Sequence, residues 1–179
     1  VVPAGSSAGN THAARTSFYH LNRIAEHART WLPTVPWLTQ QLTAIVNGNA
    51  LYCRAIWTGS QVDLARSYTA GTPYESCNNP GEIAGVVVHE FGHGLDQNDG
   101  GGYDKPSEAY ADITAFMSNH LSCVGRGYFV FGDCEGYGDV CLNCLGVRDQ
   151  DWDQHESHTP ATPAGFVSTF CGSLPPVPP

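Results

Sequence analysis

A chain of 179 residues is long enough for one domain with its own core and short for two. Hydrophobic residues make up 41% and charged residues only 14%, with eight Lys plus Arg against seventeen Asp plus Glu for a formal net charge of −9. No basic stripe interleaves with aromatics, which argues against nucleic acid or an anionic membrane surface as a partner, and no apolar run reaches the roughly eighteen residues of a membrane span.

Residues 1–10 are small and polar and read as an extended lead-in. They lack the basic and apolar blocks of a signal peptide, and a mature secreted chain would begin the same way. From Thr11 to about Leu32 the apolar positions Phe18, Leu21, Ile24, Ala25, Ala28 and Trp31 recur at steps of three and four, which predicts an amphipathic helix ended by Pro33 and Pro36. Residues 38–70 are rich in β-branched and aromatic side chains and predict two or three strands, with Asn47-Gly48-Asn49 as a turn. A helix is expected from Glu82 to about Gln97. Another is expected from about Pro106 to Leu121, with Pro106 at its first turn and Ser107 available as its cap. Beyond Cys123 the chain becomes rich in Gly and Cys, and regular structure is no longer legible.

Seven cysteines stand at 53, 77, 123, 134, 141, 144 and 171. Cys141 and Cys144 form a CxxC pair, half of a zinc knuckle, but no second pair completes one, so disulfides are the preferred reading. Cys53 and Cys77 bracket a strand and a loop and are expected to pair. The odd count leaves one cysteine free or joined to a segment outside this chain. The final CGSLPPVPP reads as the start of a proline-rich linker.

The chemistry concentrates at His89-Glu90-Phe91-Gly92-His93, an H-E-x-x-H motif inside the strongest helix. Residues i and i+4 share a helix face, so both imidazoles can reach one zinc ion. Glu90, about 100° around the helix, is placed to act on water at that ion. Gly92 and Gly94 are costly in a helix, which suggests that another backbone or a substrate approaches there. Catalytic zinc usually takes three protein ligands, and the sequence offers two candidates for the third. Asp99 lies six residues after His93. Glu108 opens the next helix, with Asp112 one turn further on, suited to orient a ligating histidine. Glu108 is favoured because it accounts for both acidic residues. Asp96, Asn98, Asp99 and Asp104 cluster among glycines in the manner of a calcium loop, without the closing Glu of an EF-hand. His12, His20, His27 and His120 read as helix or surface residues.

HEFGHGLD followed by SEAYAD resembles the gluzincin metallopeptidases, the thermolysin-like and fungalysin-like group, over roughly residues 11–122. The resemblance implies an α+β fold: a zincin-like core (1–122) whose small mixed or antiparallel sheet packs on the active-site helix and flanking helices. A Cys/Gly-rich irregular region (123–172) and a proline-rich tail or linker (173–179) would follow. It further implies zinc held by His89, His93 and Glu108, Asp112 behind them, and Glu90 as general base. Ala55 and Trp57, in AIWTGSQ, match the family's edge strand, which offers backbone groups to an extended substrate. Arg54 stands there where the family has Asn. For the side chain that would steady the oxyanion, the candidates are Tyr103, which lies between the two motifs as the family's catalytic Tyr does, Tyr110, Arg148, His155 and His158. Arg148, in GVRD, resembles the family's carbonyl-binding Arg. The family's helical C-terminal domain has no clear counterpart. The expected function is a secreted zinc endopeptidase acting on protein or peptide substrates, with calcium as a possible second ion. The alternative is an extracellular zinc-stabilised binding module without turnover, and oligomeric state is left open.

Overall fold

The computed structural model describes residues 11–69, 76–101, 107–130, 141–154 and 164. Within them the chain is α+β, with three α-helices, a three-stranded mixed sheet and a two-stranded ribbon. Helix α1 (His12–Trp31) starts where Thr11 Oγ1 accepts a hydrogen bond from Ala14 N–H and ends at Leu32, just before Pro33. Its face of Ala13, Leu21, Ile24 and Ala28 is buried, as the spacing of three and four predicts, but Phe18 and Trp31, expected on that face, are exposed.

Strands β1 (Thr43–Tyr52), β2 (Ala55–Trp57) and β3 (Gln61–Arg66) form a sheet of order β1-β3-β2. The expected turn at Asn47-Gly48-Asn49 is instead an irregularity inside one long strand. Asn47 takes φ +57° and the register with β3 slips between Ile45 and Gly48. Two contacts stabilise this distortion: Asn47 donates to Thr11 Oγ1 at 3.1 Å and accepts from Asn79 Nδ2 at 2.6 Å. Strand β1 runs on without reversing and lies parallel to β3, while β2 and β3 form the antiparallel hairpin. Cys53, at φ +48° between β1 and β2, is disulfide-bonded to Cys77, the pairing that the sequence suggested.

Helix α2 (Ala84–Asn98) follows a 3₁₀ turn at Pro80–Glu82 and is the most buried element, with every residue from Val86 to Asp96 inside. Val87, Val88, Phe91 and Leu95 lie in the core with Ile24, Val62 and Leu64. Each such side chain contributes about 2 kcal/mol as an upper estimate. Helix α3 (Ser107–Asn119) packs across α2. The close approach uses a glycine, because a Cβ on Gly92 would stand 2.6 Å from Ala111 Cα. Gly94 similarly makes room for the Trp37 ring, 2.9 Å from where its Cβ would be.

The ribbon of β4 (Cys123–Val124) and β5 (Arg148–Asp149) brings the cysteine-rich segment onto this core through Val124 and Tyr128. Cys144 pairs with Cys123 rather than acting with Cys141 as a metal knuckle, and Cys141 is itself disulfide-bonded. Such bonds persist in oxidising compartments and are compatible with an extracellular protein. Among the described residues no helix is long and apolar enough to cross a membrane.

Candidate metal centre

Helix α2 presents His89, Glu90 and His93, all buried, to the floor of a cleft of about 650 Å³. Helix α3 brings in Glu108 from the side. His89 Nε2 and His93 Nε2 are 3.1 Å apart, and each lies 3.4 Å from a Glu108 carboxylate oxygen. Three atoms bonded at 2.0–2.1 Å to one tetrahedral ion would stand about 3.3 Å from each other. The two imidazole nitrogens meet that spacing, and the Glu108 carboxylate faces both, through Oε2 toward His89 and Oε1 toward His93, so the group could hold a divalent metal.

The outer nitrogens are held as such a centre requires. His89 Nδ1 is 2.7 Å from Asp112 Oδ1, and His93 Nδ1 is 2.8 Å from Ser107 Oγ. A proton on each Nδ1 makes Nε2 the nitrogen that an ion at the shared point would take. Ser107, expected only as a helix cap, instead opens α3 with its hydroxyl on His93. Arg148 of β5 closes the far side: Nε and Nη2 reach the two Asp112 oxygens at 2.7 and 2.8 Å, and Nη2 also reaches Glu108 at 3.1 Å.

The electrostatics follow from this crowding. Burial disfavours a charged His89, but its contacts with Asp112 and Glu108 and the nearby negative charge of Glu90 outweigh that and raise its pKa to about 9. His93 is lowered by burial and by the His89 charge. Glu108 is lowered by its contact with His89. Asp112 would be raised by burial, but its bonds to His89 and Arg148 bring it down to about 2. Glu90 stands apart. Burial pushes its carboxyl up to about 7, against the opposing pull of His89 and a hydrogen bond from the Trp57 backbone. A carboxyl near neutrality can both take and give a proton at physiological pH.

Strand β2 forms one wall. Arg54 C=O accepts from Ala65 N–H, and Thr58 N–H donates to Gln61 C=O. In an antiparallel ladder alternate residues share one side, so 54, 56 and 58 face β3, and the backbone groups of Ala55 and Trp57 turn outward. Both residues line the cleft. The Trp57 indole is locked from behind, donating to Gln97 Oε1 at 2.7 Å and meeting Trp37 edge to face.

Asp99, the other candidate ligand, sits at the C-terminal end of α2, where it accepts from Gly101 N–H at 2.7 Å and meets the Tyr110 hydroxyl. It is not part of the three-ligand group, because α2 continues to Asn98 and carries it past the site. The same bond engages Tyr110, whose pKa rises to about 12 through burial and Asp99. Asn98 donates to Gly94 C=O, so this residue of the suggested calcium loop also serves the helix end. Tyr103, Asp104, His155 and His158 lie outside the described residues. One cleft residue was not legible beforehand. Tyr128 donates to Cys53 C=O at 2.5 Å, and burial with the nearby Glu90 charge raises its pKa to about 12.

A second groove of about 670 Å³ lies between α1 and the start of β1. Among the described residues its titratable side chains are Arg15 and Arg29, with no histidine or carboxylate beside them. Compared with known proteins, the sequence matches no family model and no curated protein sequence.

Proposed function

We propose that this chain is the catalytic core of a secreted zinc-dependent endopeptidase of gluzincin type, with a zincin-like fold. The observation that carries the reading is the convergence of His89 Nε2, His93 Nε2 and the Glu108 carboxylate within 3.1–3.4 Å, beside a buried Glu90. Zinc is the ion this mixed nitrogen and oxygen set suits, and when bound it would supply Lewis acidity toward a water and a peptide carbonyl.

The chain's own groups do the remainder. Glu90 takes the proton of the attacking water on its carboxylate and returns it to the departing amine nitrogen. The Trp57 N–H, bonded to Glu90, fixes the carboxyl orientation for that transfer. The outward backbone groups of Ala55, with the Trp57 carbonyl, hold a substrate strand along β2. Asp112 and Ser107 hold the two imidazoles in the required tautomer, and Arg148 holds Asp112. Since Arg148 Nε and Nη2 are bound to Asp112 and Glu108, its chief role is to support the carboxylates rather than to grip a substrate carbonyl.

The test uses zinc-loaded protein and a quenched casein or peptide library. Glu90→Gln is expected to keep equimolar zinc and to lose turnover by about a thousandfold, within the usual range for a general base. Wild-type protein that binds zinc and cleaves nothing would replace this reading with a zinc-stabilised binding module.

A further inference from the structure

Arg54 lines the same cleft immediately before β2, with its side chain exposed. Among the described residues the cleft contains one other guanidinium, that of Arg148, which is committed to Asp112 and Glu108. Among the described residues none makes a hydrogen bond or ion pair with the Arg54 guanidinium, and its backbone carbonyl accepts from Ala65 N–H at 2.8 Å.

The backbone beneath this side chain is unusually well held for a surface position. Cys53 is disulfide-bonded to Cys77, its carbonyl accepts from Tyr128, and Arg54 C=O is tied to β3. The neighbouring wall, Val86, Val124, Val147 and Phe129, offers no charge. Among the described residues the acid–base cleft thus presents one guanidinium that no carboxylate holds, on a fixed backbone. A guanidinium binds carboxylate by two parallel N–H···O bonds, better than any other side-chain partner.

We propose that Arg54 is a specificity-determining residue that recognises a carboxylate on the peptide substrate, an inference that rests on the peptidase reading above. The position along the substrate follows from the strand. Trp57 is bonded to Glu90 and so marks the reacting bond, and Arg54 is three residues back, about 10 Å at strand spacing. A substrate added antiparallel to β2 runs from Trp57 toward Arg54 in its own C-terminal direction. The carboxylate recognised is therefore two or three residues beyond the cleaved bond, on the side of the leaving amine. Its source is either an acidic side chain or the substrate's C-terminal carboxylate.

The experiment compares zinc-loaded wild type, Arg54→Gln and Arg54→Glu on matched fluorogenic peptides. One arm places Glu or Gln two and three residues after the cleaved bond, and the other presents a free or an amidated C-terminus at that distance. Wild type is expected to favour the carboxylate in at least one arm by about fivefold in kcat/KM, the scale of a partly exposed ion pair. That arm identifies the source. Arg54→Gln abolishes the preference and Arg54→Glu reverses it. Equal rates in both arms, or a preference that survives Arg54→Gln, overturns the assignment. Peptide affinity for zinc-loaded Glu90→Gln protein, with and without Arg54→Gln, is read in parallel by fluorescence anisotropy. If wild type cleaves nothing, the peptidase reading fails by itself, and Arg54 stands or falls on whether anisotropy shows the same dependence on the carboxylate. Equal affinities, or no binding, overturn it.

Discussion

Arg148 binds both oxygens of Asp112, at 2.7 and 2.8 Å, and the same carboxylate meets His89 Nδ1 at 2.7 Å. A residue of the cysteine-rich ribbon thereby sets the orientation of a histidine on α2 through a carboxylate on α3. Replacing Asp112 by Ala would leave a largely buried guanidinium without its main partner, a change that typically costs about 3–5 kcal/mol. The double variant Asp112→Ala/Arg148→Met is expected to be more stable than Asp112→Ala alone in urea unfolding. Both should bind zinc about 10–100-fold more weakly than wild type in a chelator competition.

The same pair sets an acid limit. Asp112 is held at about 2 against a usual 3.8, so its folded pKa is depressed and its stabilisation is fully present above about pH 4. That contribution, about 2 kcal/mol, is lost as pH falls through the interval from about 4 to about 2. Urea midpoints of chelator-treated wild type should fall over that window, and those of the double variant should fall less.

Glu108 and Asp99 are separable by metal affinity. Glu108→Ala should weaken zinc binding by more than about a hundredfold, since it removes a ligand rather than a supporting contact. Asp99→Ala should change it less than about threefold, because Asp99 serves the end of α2. Zinc loss that tracks Asp99 instead would mean that the ion is held elsewhere.

Gly92→Ala tests the contact between α2 and α3. The added methyl would meet Ala111 Cα at 2.6 Å and Ala111 C=O at 3.2 Å, so the helices must separate. Overpacking of this kind costs about 1–3 kcal/mol, against about 1 kcal/mol gained in helix propensity. A lower melting temperature is expected together with weaker zinc binding, because separation carries Glu108 away from His93. Unchanged zinc affinity in a destabilised variant would show that the ligand spacing does not depend on this contact.

The disulfide between Cys53 and Cys77, 24 residues apart, closes a loop for which chain entropy gives about 3.5 kcal/mol. A Cys53→Ser/Cys77→Ser variant should lose stability on that scale in urea. It should also lose substrate binding along β2 before it loses zinc, because the bond lies beside Arg54 and far from Asp112 in the chain.

Local patterns made α1 and α2 legible: steps of three and four mark the buried face of α1, and the apolar run leading into the H-E-x-x-H motif marks α2, which is buried on every side from Val86 to Asp96. The same holds for the placing of His89 and His93 on one face and of Glu108 and Asp112 on another, because helical periodicity alone fixes those relations. The long strand through Asn47 was not legible. Asn-Gly is ordinarily a turn, and what keeps the chain extended is a pair of side-chain bonds to Thr11 and Asn79, distant in sequence. The parallel pairing of β1 with β3, the grip of Arg148 on Asp112 and the contact of Tyr128 with Cys53 all depend on long-range packing in the same way.

The contact of Gly92 with Ala111 has an evolutionary consequence. Main-chain atoms set the gap between the two ligand-bearing helices, and main-chain atoms do not mutate. The surrounding core can therefore exchange one aliphatic residue for another while the distance from His93 to Glu108 is kept. Positions 92 and 111 are the exceptions, the places where a single codon change alters the ruler itself.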